Sequence, residues 1–405
     1  MTTRTGTTRT AQTTQTATTL EPARALARCL EPVGGEDFLA ENWQRKPLVV
    51  ARDEPGRFHD LLSPADVELL VTSGSLRYPA FRLAKAGETL EVGSYTRQIS
   101  WRPVPFTGTI DVERVLEEFE RGATIVLQAL HHNWPRLAEL CRGLEQALGH
   151  PAQANAYFTP RSAQGLAVHH DTHDVFVLQI SGEKHWRIYE PVLELPLKDQ
   201  RYSKELGEPG EVVEDVTLAA GDTLYLPRGW LHEALTSDTE SLHLTVGVNV
   251  YTWIDALRAA VDACADEVDL RRSVPASGAG GTDLLPALAS RLAPEQVARR
   301  MRERLVRTRR PILDGQLGPL RALEELDPDT LVERRPTVIA DTDGGALCFE
   351  GKRVRFPEHV ARDVAFVASA DEPFSASDLP GDLDEEGRLV FVRRLVREGF
   401  LRIRK

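Results

Sequence analysis

The sequence predicts a mainly β core, a closed or two-sheet antiparallel barrel, with helices before and after it. Three observations carry this prediction. From residue 153 the chain breaks into short runs rich in Val, Ile, Phe, Tyr and Thr: QANAYFTP, DVFVLQISG, KHWRIYEPV, EVVEDVTLAAGDTLYLP and SLHLTVGVNVYTW. Such side chains favour the pleated surface of a sheet, and even spacing of short strands favours a barrel. Outside this stretch the apolar residues recur mostly at helical spacing. Finally, the two histidine motifs, at 169–171 and at 232, lie far apart in the chain, and a jelly-roll barrel returns such strands to one another.

The elements follow in order. The first twenty residues hold eleven threonines and no acidic residue; with almost nothing to bury, residues 1–21 read as a disordered tail, lacking the apolar stretch of a secretory signal. PARALARCL reads as a short helix. GEDFLAENWQRKPLVV reads as a helix and then an extended segment, because Pro47 cannot continue a helix. SPADVELLVTS opens with Ser63 as a cap and Pro64 at the first helical position. FRLAKAGETLEVGSYTR alternates about a Gly-Glu turn, as a hairpin does. DVERVLEEFERG is an acidic amphipathic helix, ATIVLQAL an apolar strand, and WPRLAELCRGLEQALG a helix stopping at Gly149. The barrel strands come next.

After Trp253 the chain turns helical: IDALRAAVDACADEVDLRRSV, a flexible stretch at 275–283, then LLPALASRL, PEQVARRMRERLVRTRR and LGPLRALEEL. No heptad persists long enough for a long coiled coil. This region can pack on the barrel or pair between subunits. The last seventy residues read as two or three strands about glycine turns, then a helix and a strand, the pattern of a winged-helix module. The expected division is therefore a tail (1–21), a catalytic domain (22–254), a helical region (255–334) and a winged-helix-like domain (335–405).

The chain has 405 residues, 41% of them hydrophobic and 27% charged, and a formal net charge of -12. A phosphate backbone needs a positive partner surface, so non-specific nucleic-acid binding by the whole protein is disfavoured. The last helix mixes Arg393, Arg394 and Arg397 with Glu398, and direct DNA binding is not expected. Cys29, Cys141, Cys264 and Cys348 form no C-x-x-C pair, which argues against a disulfide scaffold or zinc site and for a reducing cytoplasm. No apolar run is long enough to cross a bilayer.

The chemistry concentrates in GLAVHHDTHDVFVLQISGEKHW, residues 165–186. In an extended strand, residues i and i+2 share a face. His169 and Asp171 then converge while His170 points away, and His232, in GDTLYLPRGWLHEA, completes a set from a second strand. Two histidines and one carboxylate occupy one face of an iron(II) centre and leave three positions open for a cosubstrate and O2. A 2-oxo acid can chelate such an iron and supply two electrons. Lys184 offers a mobile point charge for its remote carboxylate. Asn155 and Tyr157, two apart on a strand, can lend an amide and a phenol to the same pocket. Trp186 and Phe176 read as core or pocket wall. No nicotinamide or flavin fingerprint is present.

The passages FLAENWQRKPLVV, NAYFTPRSAQGLAVHHD, DVFVLQISGEKHWRIYEP, GDTLYLPRGWLHEA and SLHLTVG resemble the bacterial and eukaryotic ribosomal oxygenases, a JmjC-type branch of the cupin superfamily. The resemblance spans roughly residues 22–405 and is most specific from 153 to 250. It implies a double-stranded β-helix core, a helical dimerisation region and a C-terminal winged helix. It also implies iron(II)- and 2-oxoglutarate-dependent hydroxylation of an arginine or histidine side chain of a ribosomal protein. Carried over residue by residue, the metal triad falls on His169, Asp171 and His232, and the carboxylate-binding position on Lys184. Asn155 and Tyr157 match assisting pocket positions, and Asn249 lies near another. The lysine at 184, where some members carry arginine, leans toward the histidine hydroxylases. A small-molecule or peptide hydroxylase, a lysine demethylase, and a non-enzymatic metal-bound cupin remain as alternatives.

Overall fold

The computed structural model describes residues 22–404, apart from 74–75, 102–103, 162, 164–166, 237, 279–280 and 344. The expected tail lies outside the described residues, as does part of the glycine-rich interruption. Helices α1 (Pro22–Leu30) and α2 (Gly35–Glu41) lead into β1 (Leu48–Val50). Helix α3 (Pro64–Thr72) begins as its sequence dictates, with the Ser63 hydroxyl accepting from Asp66 N and the Asp66 carboxylate accepting from Ser63 N. A hairpin, β2 (Phe81–Lys85) and β3 (Glu88–Thr89), follows. Its second arm ends earlier than the alternation suggests, and a turn of helix, α4 (Val92–Tyr95), buries Tyr95 instead. A further hairpin, β4 (Thr96–Trp101) with β5 (Val104–Ile110), was not legible in the residues. Helix α5 (Val112–Glu120), strand β6 (Thr124–Leu127) and helix α6 (Pro135–Leu148) complete the N-terminal part. Gly149 ends α6 at φ 74°, a left-handed cap that favours glycine.

Seven strands then build the barrel: β7 (Ala152–Thr159), β8 (Asp174–Ser181), β9 (Lys184–Tyr189), β10 (Val212–Leu218), β11 (Thr223–Leu226), β12 (Leu231–Thr236) and β13 (Ser241–Val248). The larger sheet has the order β1-β11-β8-β13-β7-β6-β2-β3, and the smaller β10-β9-β12. The period of two decides what faces where. Leu242, Leu244, Val246 and Val248 of β13, Ala152, Ala154 and Ala156 of β7, and Phe176, Leu178 and Ile180 of β8 join one buried core with α1 and α6 residues such as Leu30 and Leu140. The alternate positions, among them Asn155, Tyr157, Thr159, His243 and Thr245, line a cavity between the sheets. A second core, including Val175, Val177, Trp186, Ile188 and Leu224, closes the rest of the sandwich.

Helices α7 (Trp253–Asp262), α8 (Leu285–Arg291), α9 (Pro294–Thr308) and α10 (Leu317–Arg321) follow. Helix α7 stops well short of the helical pattern, which continues only as a single turn at Asp269–Arg271. The terminal unit holds β14 (Val332–Arg334), the meander β15 (Ala340–Asp343), β16 (Ala346–Phe349) and β17 (Lys352–Arg355), helices α11 (Ala361–Ser369) and α12 (Glu385–Glu398), and β18 (Leu401–Ile403). Its packing reaches back past the expected boundary at 335. Val332–Arg334 pair with β18, and Leu323 and Leu326 lie in the same core as Leu347, Phe349 and Leu395. Helix α11 is a second element the residues did not announce.

Candidate metal centre

An isolated bridge joins the H-x-D segment to β12 of the smaller sheet. His169 N donates to His232 O at 3.2 Å, and His232 N donates to His169 O at 2.9 Å. This reciprocal pair sets the two imidazoles side by side, with ring centroids 4.5 Å apart. The residues around the H-x-D motif are extended but are not a strand. His169 makes a single bridge, Asp171 lies outside any strand, and β8 begins only at Asp174. That corrects the strand reading of this stretch. The physical reason is that Asp171 O accepts from Gly229 N at 3.1 Å, tying the chain to the opposing turn rather than to a ladder.

One ligand atom from each of His169, Asp171 and His232 lies within 4.8 Å of the others. The ring tautomers follow from the backbone. His169 Nδ1 lies 2.8 Å from Ala167 O, and His232 Nδ1 lies 3.0 Å from Trp230 O. A carbonyl only accepts, so each Nδ1 carries the hydrogen and each Nε2 keeps a lone pair for a metal. Burial pushes His232 down to about 4, with His169 adding to the shift, so this ring is neutral and able to ligate. Burial would raise the Asp171 carboxyl. The imidazoles of His173, His169, His232 and His170 outweigh it and hold the carboxyl below its ordinary value. The donor set is thus two neutral nitrogens and one carboxylate on one side of an open space, which fits a divalent first-row metal.

The supporting turn is itself buried. Asp174 accepts from Tyr225 Oη at 3.0 Å and from Arg228 Nη1 at 3.1 Å, and both partners of the Asp174–Arg228 pair are sealed from water. The pair fixes the Pro227–Trp230 turn that leads to His232. Gly229 sits at φ 93°, and a Cβ there would come within 2.5 Å of Leu193 O. His170, expected to point away, also lines the cavity. It is buried, and its Nε2 donates to Gln200 O at 3.1 Å. That contact holds a loop whose Lys198, Arg201 and Tyr202 line the pocket. His173 also lines the pocket and fills the space above Gly247, where a Cβ would meet His173 Nε2 at 2.8 Å.

The cavity, about 650 Å³, brings together every residue singled out in the sequence: His169, Asp171, His232, Lys184, Asn155, Tyr157 and Asn249. Lys184 opens β9 and is 2% exposed. Its Nζ donates to Thr159 Oγ1 at 3.1 Å, and Thr124 Oγ1 in turn donates to Thr159 Oγ1 at 3.2 Å. Burial alone lowers Lys184 to about 7. An ammonium in such surroundings favours an anionic ligand, since unpaired buried charge is costly. Asn155 Oδ1 accepts from Ala129 N at 2.9 Å, so the carbonyl side of this amide is already engaged. Its other side hydrogen-bonds the Tyr157 phenol, which burial raises to about 12. Tyr157 stacks on His243 at 5.0 Å, and Trp186 meets the far edge of His243 at 5.5 Å. Trp186 is therefore pocket wall and Phe176 core, as expected.

Several pocket residues escaped the sequence reading. Thr159, His243 and Thr245 carry a legible signal, since each continues the alternation of its strand. Arg82, Lys198, Arg201 and Tyr202 carry none, because they reach the pocket from strands and loops remote in sequence.

The JmjC domain family matches residues 128–256, the stretch that holds all of these barrel strands. Ribosomal oxygenase 1 of Gallus gallus is 32% identical over 253 residues, which are 60% of this chain and 41% of that protein. The bifunctional lysine-specific demethylase and histidyl-hydroxylase NO66 of Drosophila persimilis is 32% identical over 226 residues, 55% of this chain and 31% of that protein. The chain carries a JmjC domain at residues 128–256 and is similar over that stretch to proteins named as ribosomal oxygenases. It spans less than half the length of these two relatives. The crystal structure of the Escherichia coli ribosomal oxygenase YcfD in complex with cobalt and 2-oxoglutarate shares the fold, with a TM-score of 0.56 at 19% identity, over 92% of this chain and 99% of that one. Within this JmjC core, the mainly β cupin architecture expected from the sequence is the observed one.

Proposed function

We propose that this chain is an iron(II)- and 2-oxoglutarate-dependent oxygenase that hydroxylates a side chain, histidine or arginine, of a ribosomal protein. One observation carries the reading: an H-x-D…H donor set and a buried lysine line the same cavity, in a family whose named members are oxygenases. Iron, 2-oxoglutarate and O2 together supply the oxidation that inserts one oxygen atom into a C–H bond, leaving succinate and CO2.

The residues of the chain do the rest. His169, Asp171 and His232 would hold the metal through two Nε2 atoms and one carboxylate oxygen. The carbonyls of Ala167 and Trp230 keep both rings in the ligating tautomer. Lys184 would pair with the remote carboxylate of 2-oxoglutarate, beside the Thr159 hydroxyl. Asn155 and Tyr157 would border the cosubstrate, and Asn249 the mouth. Trp186 of the smaller sheet and Val175 and Val177 of the larger exclude water from the cavity.

The reading extends to the rest of the chain. Residues 255–334 form a dimerisation region, and two copies of the chain associate. Trp253, Leu257 and Val261 recur at one face of α7 and are 73%, 42% and 56% exposed, which supports an intersubunit contact. The terminal unit is winged-helix-like, with a structural or protein-binding role rather than direct DNA binding. Four free thiols fit a reducing, cytoplasmic setting. Among the described residues no helix is long and apolar enough to cross a membrane.

The test is an iron-reconstituted protein supplied with 2-oxoglutarate, O2 and ribosomal proteins of the source organism, read by peptide mass spectrometry. The expected product gains the mass of one oxygen, and His169→Ala abolishes it. Release of formaldehyde would instead favour the demethylase chemistry named for the Drosophila relative.

A further inference from the structure

The cavity that holds the metal site carries more positive charge than a metal and its cosubstrate need. Among the described residues of its wall, Asp171 is the sole carboxylate, and it is assigned to the metal. Lys184 is assigned to the remote carboxylate of 2-oxoglutarate. Arg82, Lys198 and Arg201 are left, with no acid in the wall to face them. None of the three makes an ion pair among the described residues. The Arg82 Nε is buried without a partner, and its Nη1 reaches only Thr89 Oγ1, at 3.4 Å. We propose that Arg82, Lys198 and Arg201 bind acidic side chains beside the residue that is oxidised, so that the target is selected for flanking aspartate or glutamate. The inference rests on the oxygenase reading of the metal pocket.

The fold places these cations. Arg82 lies on β2 between Phe81 and Leu83, whose side chains are buried in the core, so the alternation turns Arg82 to the cavity. Lys198 and Arg201 are exposed and flank a stapled turn. Gln200 N donates to Leu197 O at 2.9 Å, and Leu197 N donates to Gln200 Oε1 at 2.8 Å. His170 Nε2 donates to Gln200 O, and its ring meets that of Tyr202 edge-on at 5.7 Å. The turn is thus held at the rim without using the charges of Lys198 and Arg201.

The chain as a whole carries a net charge of -12, so this rim reverses the sign of the protein around it. The acids of the same loop, Glu194, Asp199 and Glu205, are exposed and line no part of the cavity. A carboxylate suits both cation types, as a fork for arginine and a point charge for lysine. The cations stand on two separate walls rather than in a continuous stripe, which suits separate carboxylates better than a phosphate backbone. Proteins that bind RNA are rich in lysine and arginine, and a cationic rim repels such segments. An acidic flank then distinguishes the target within its own protein.

The test uses full-length protein loaded with cobalt(II) and 2-oxoglutarate. Fluorescence anisotropy reads the binding of a short peptide carrying glutamates about one histidine, the same peptide with glutamines, and an oligouridylate. The glutamate peptide is expected to bind about tenfold tighter than the glutamine peptide, by a margin that narrows as salt is raised. The preference should shrink in Arg82→Gln, vanish in the double variant Lys198→Glu with Arg201→Glu, and persist in Arg355→Glu, an exposed site on β17. Equal binding of the two peptides to wild type overturns the inference, as does a preference that survives the double variant. Tighter binding of the oligouridylate than of the glutamate peptide overturns it in favour of nucleic acid. A parallel loss of 2-oxoglutarate affinity in the double variant overturns it by returning the cations to the cosubstrate. Succinate formation by iron-loaded wild type beside any of these results leaves the oxygenase reading standing. No succinate from protein with verified iron overturns that reading, and the inference with it.

Discussion

The two ends of the metal pocket are built on opposite plans. At the metal end three donors converge, and each is oriented from outside the pocket, by the Ala167 and Trp230 carbonyls, the Gly229 amide and the Asp174–Arg228 pair. At the other end a single ammonium, Lys184, stands on a regular strand with one hydroxyl partner among the described residues. The metal end is thus over-determined by its surroundings, whereas the lysine end depends on the ligand to complete it. Geometry that must hold several groups in register needs a second layer of contacts, but a point charge needs only a dry place to stand.

Removing a donor breaks the comparison most severely. His169→Ala, Asp171→Ala and His232→Ala should each weaken cobalt(II) binding by more than about 100-fold and abolish succinate formation. Titration calorimetry reads this, and binding at wild-type affinity in any one of them would remove that residue from the ligand set. The second layer comes next. Arg228→Met leaves Asp174 buried without its partner and should lower stability by about 3–5 kcal/mol. Chemical denaturation measures the loss. Metal affinity should fall as well, while the lysine end keeps its preference for a dicarboxylate.

At the lysine end the effect is smaller and confined to the cosubstrate. Lys184→Met should weaken 2-oxoglutarate binding by about 10–100-fold, the worth of a charge-assisted hydrogen bond, with metal affinity unchanged. Its pH dependence has a definite sign. Burial lowers the free lysine to about 7, and His243 beside it is itself held well below its ordinary value by burial and by Lys184. A carboxylate binds the charged form, so affinity should be highest below pH 7 and fall by up to about tenfold per unit above it. Binding above that pH should take up a proton, and Lys184→Met should abolish the uptake. Calorimetry in buffers of different ionisation enthalpy would show it. The smallest effect is expected far from both ends: Ser63→Ala removes the cap of α3 and should cost about 1 kcal/mol, with both affinities as in wild type.

Much of this site was legible in the residues because strands have a short, strict period. Asn155 and Tyr157 announce a shared face by their spacing, and Thr159 and His243 extend the same alternation. The H-x-D motif was legible for the same reason, although the structure places it in an extended bend rather than a strand. Its side chains keep the alternation while its backbone bonds go to the facing turn. The hairpin at Thr96–Ile110 and helix α11 were missed, since neither carries a distinctive pattern of apolar residues or turn signals.

Local chemistry therefore determined the helix start at Ser63, the stop at Gly149, the strand faces and the identity of the candidate ligands. Each depends on contacts within a few residues or on a repeat that a single strand displays. Only the tertiary structure decided which tautomer each ligating histidine adopts, that Lys184 is buried rather than solvated, and that Arg82, Lys198 and Arg201 reach the same pocket. Burial and long-range pairing are properties of the assembled sheets, and no window of sequence contains them.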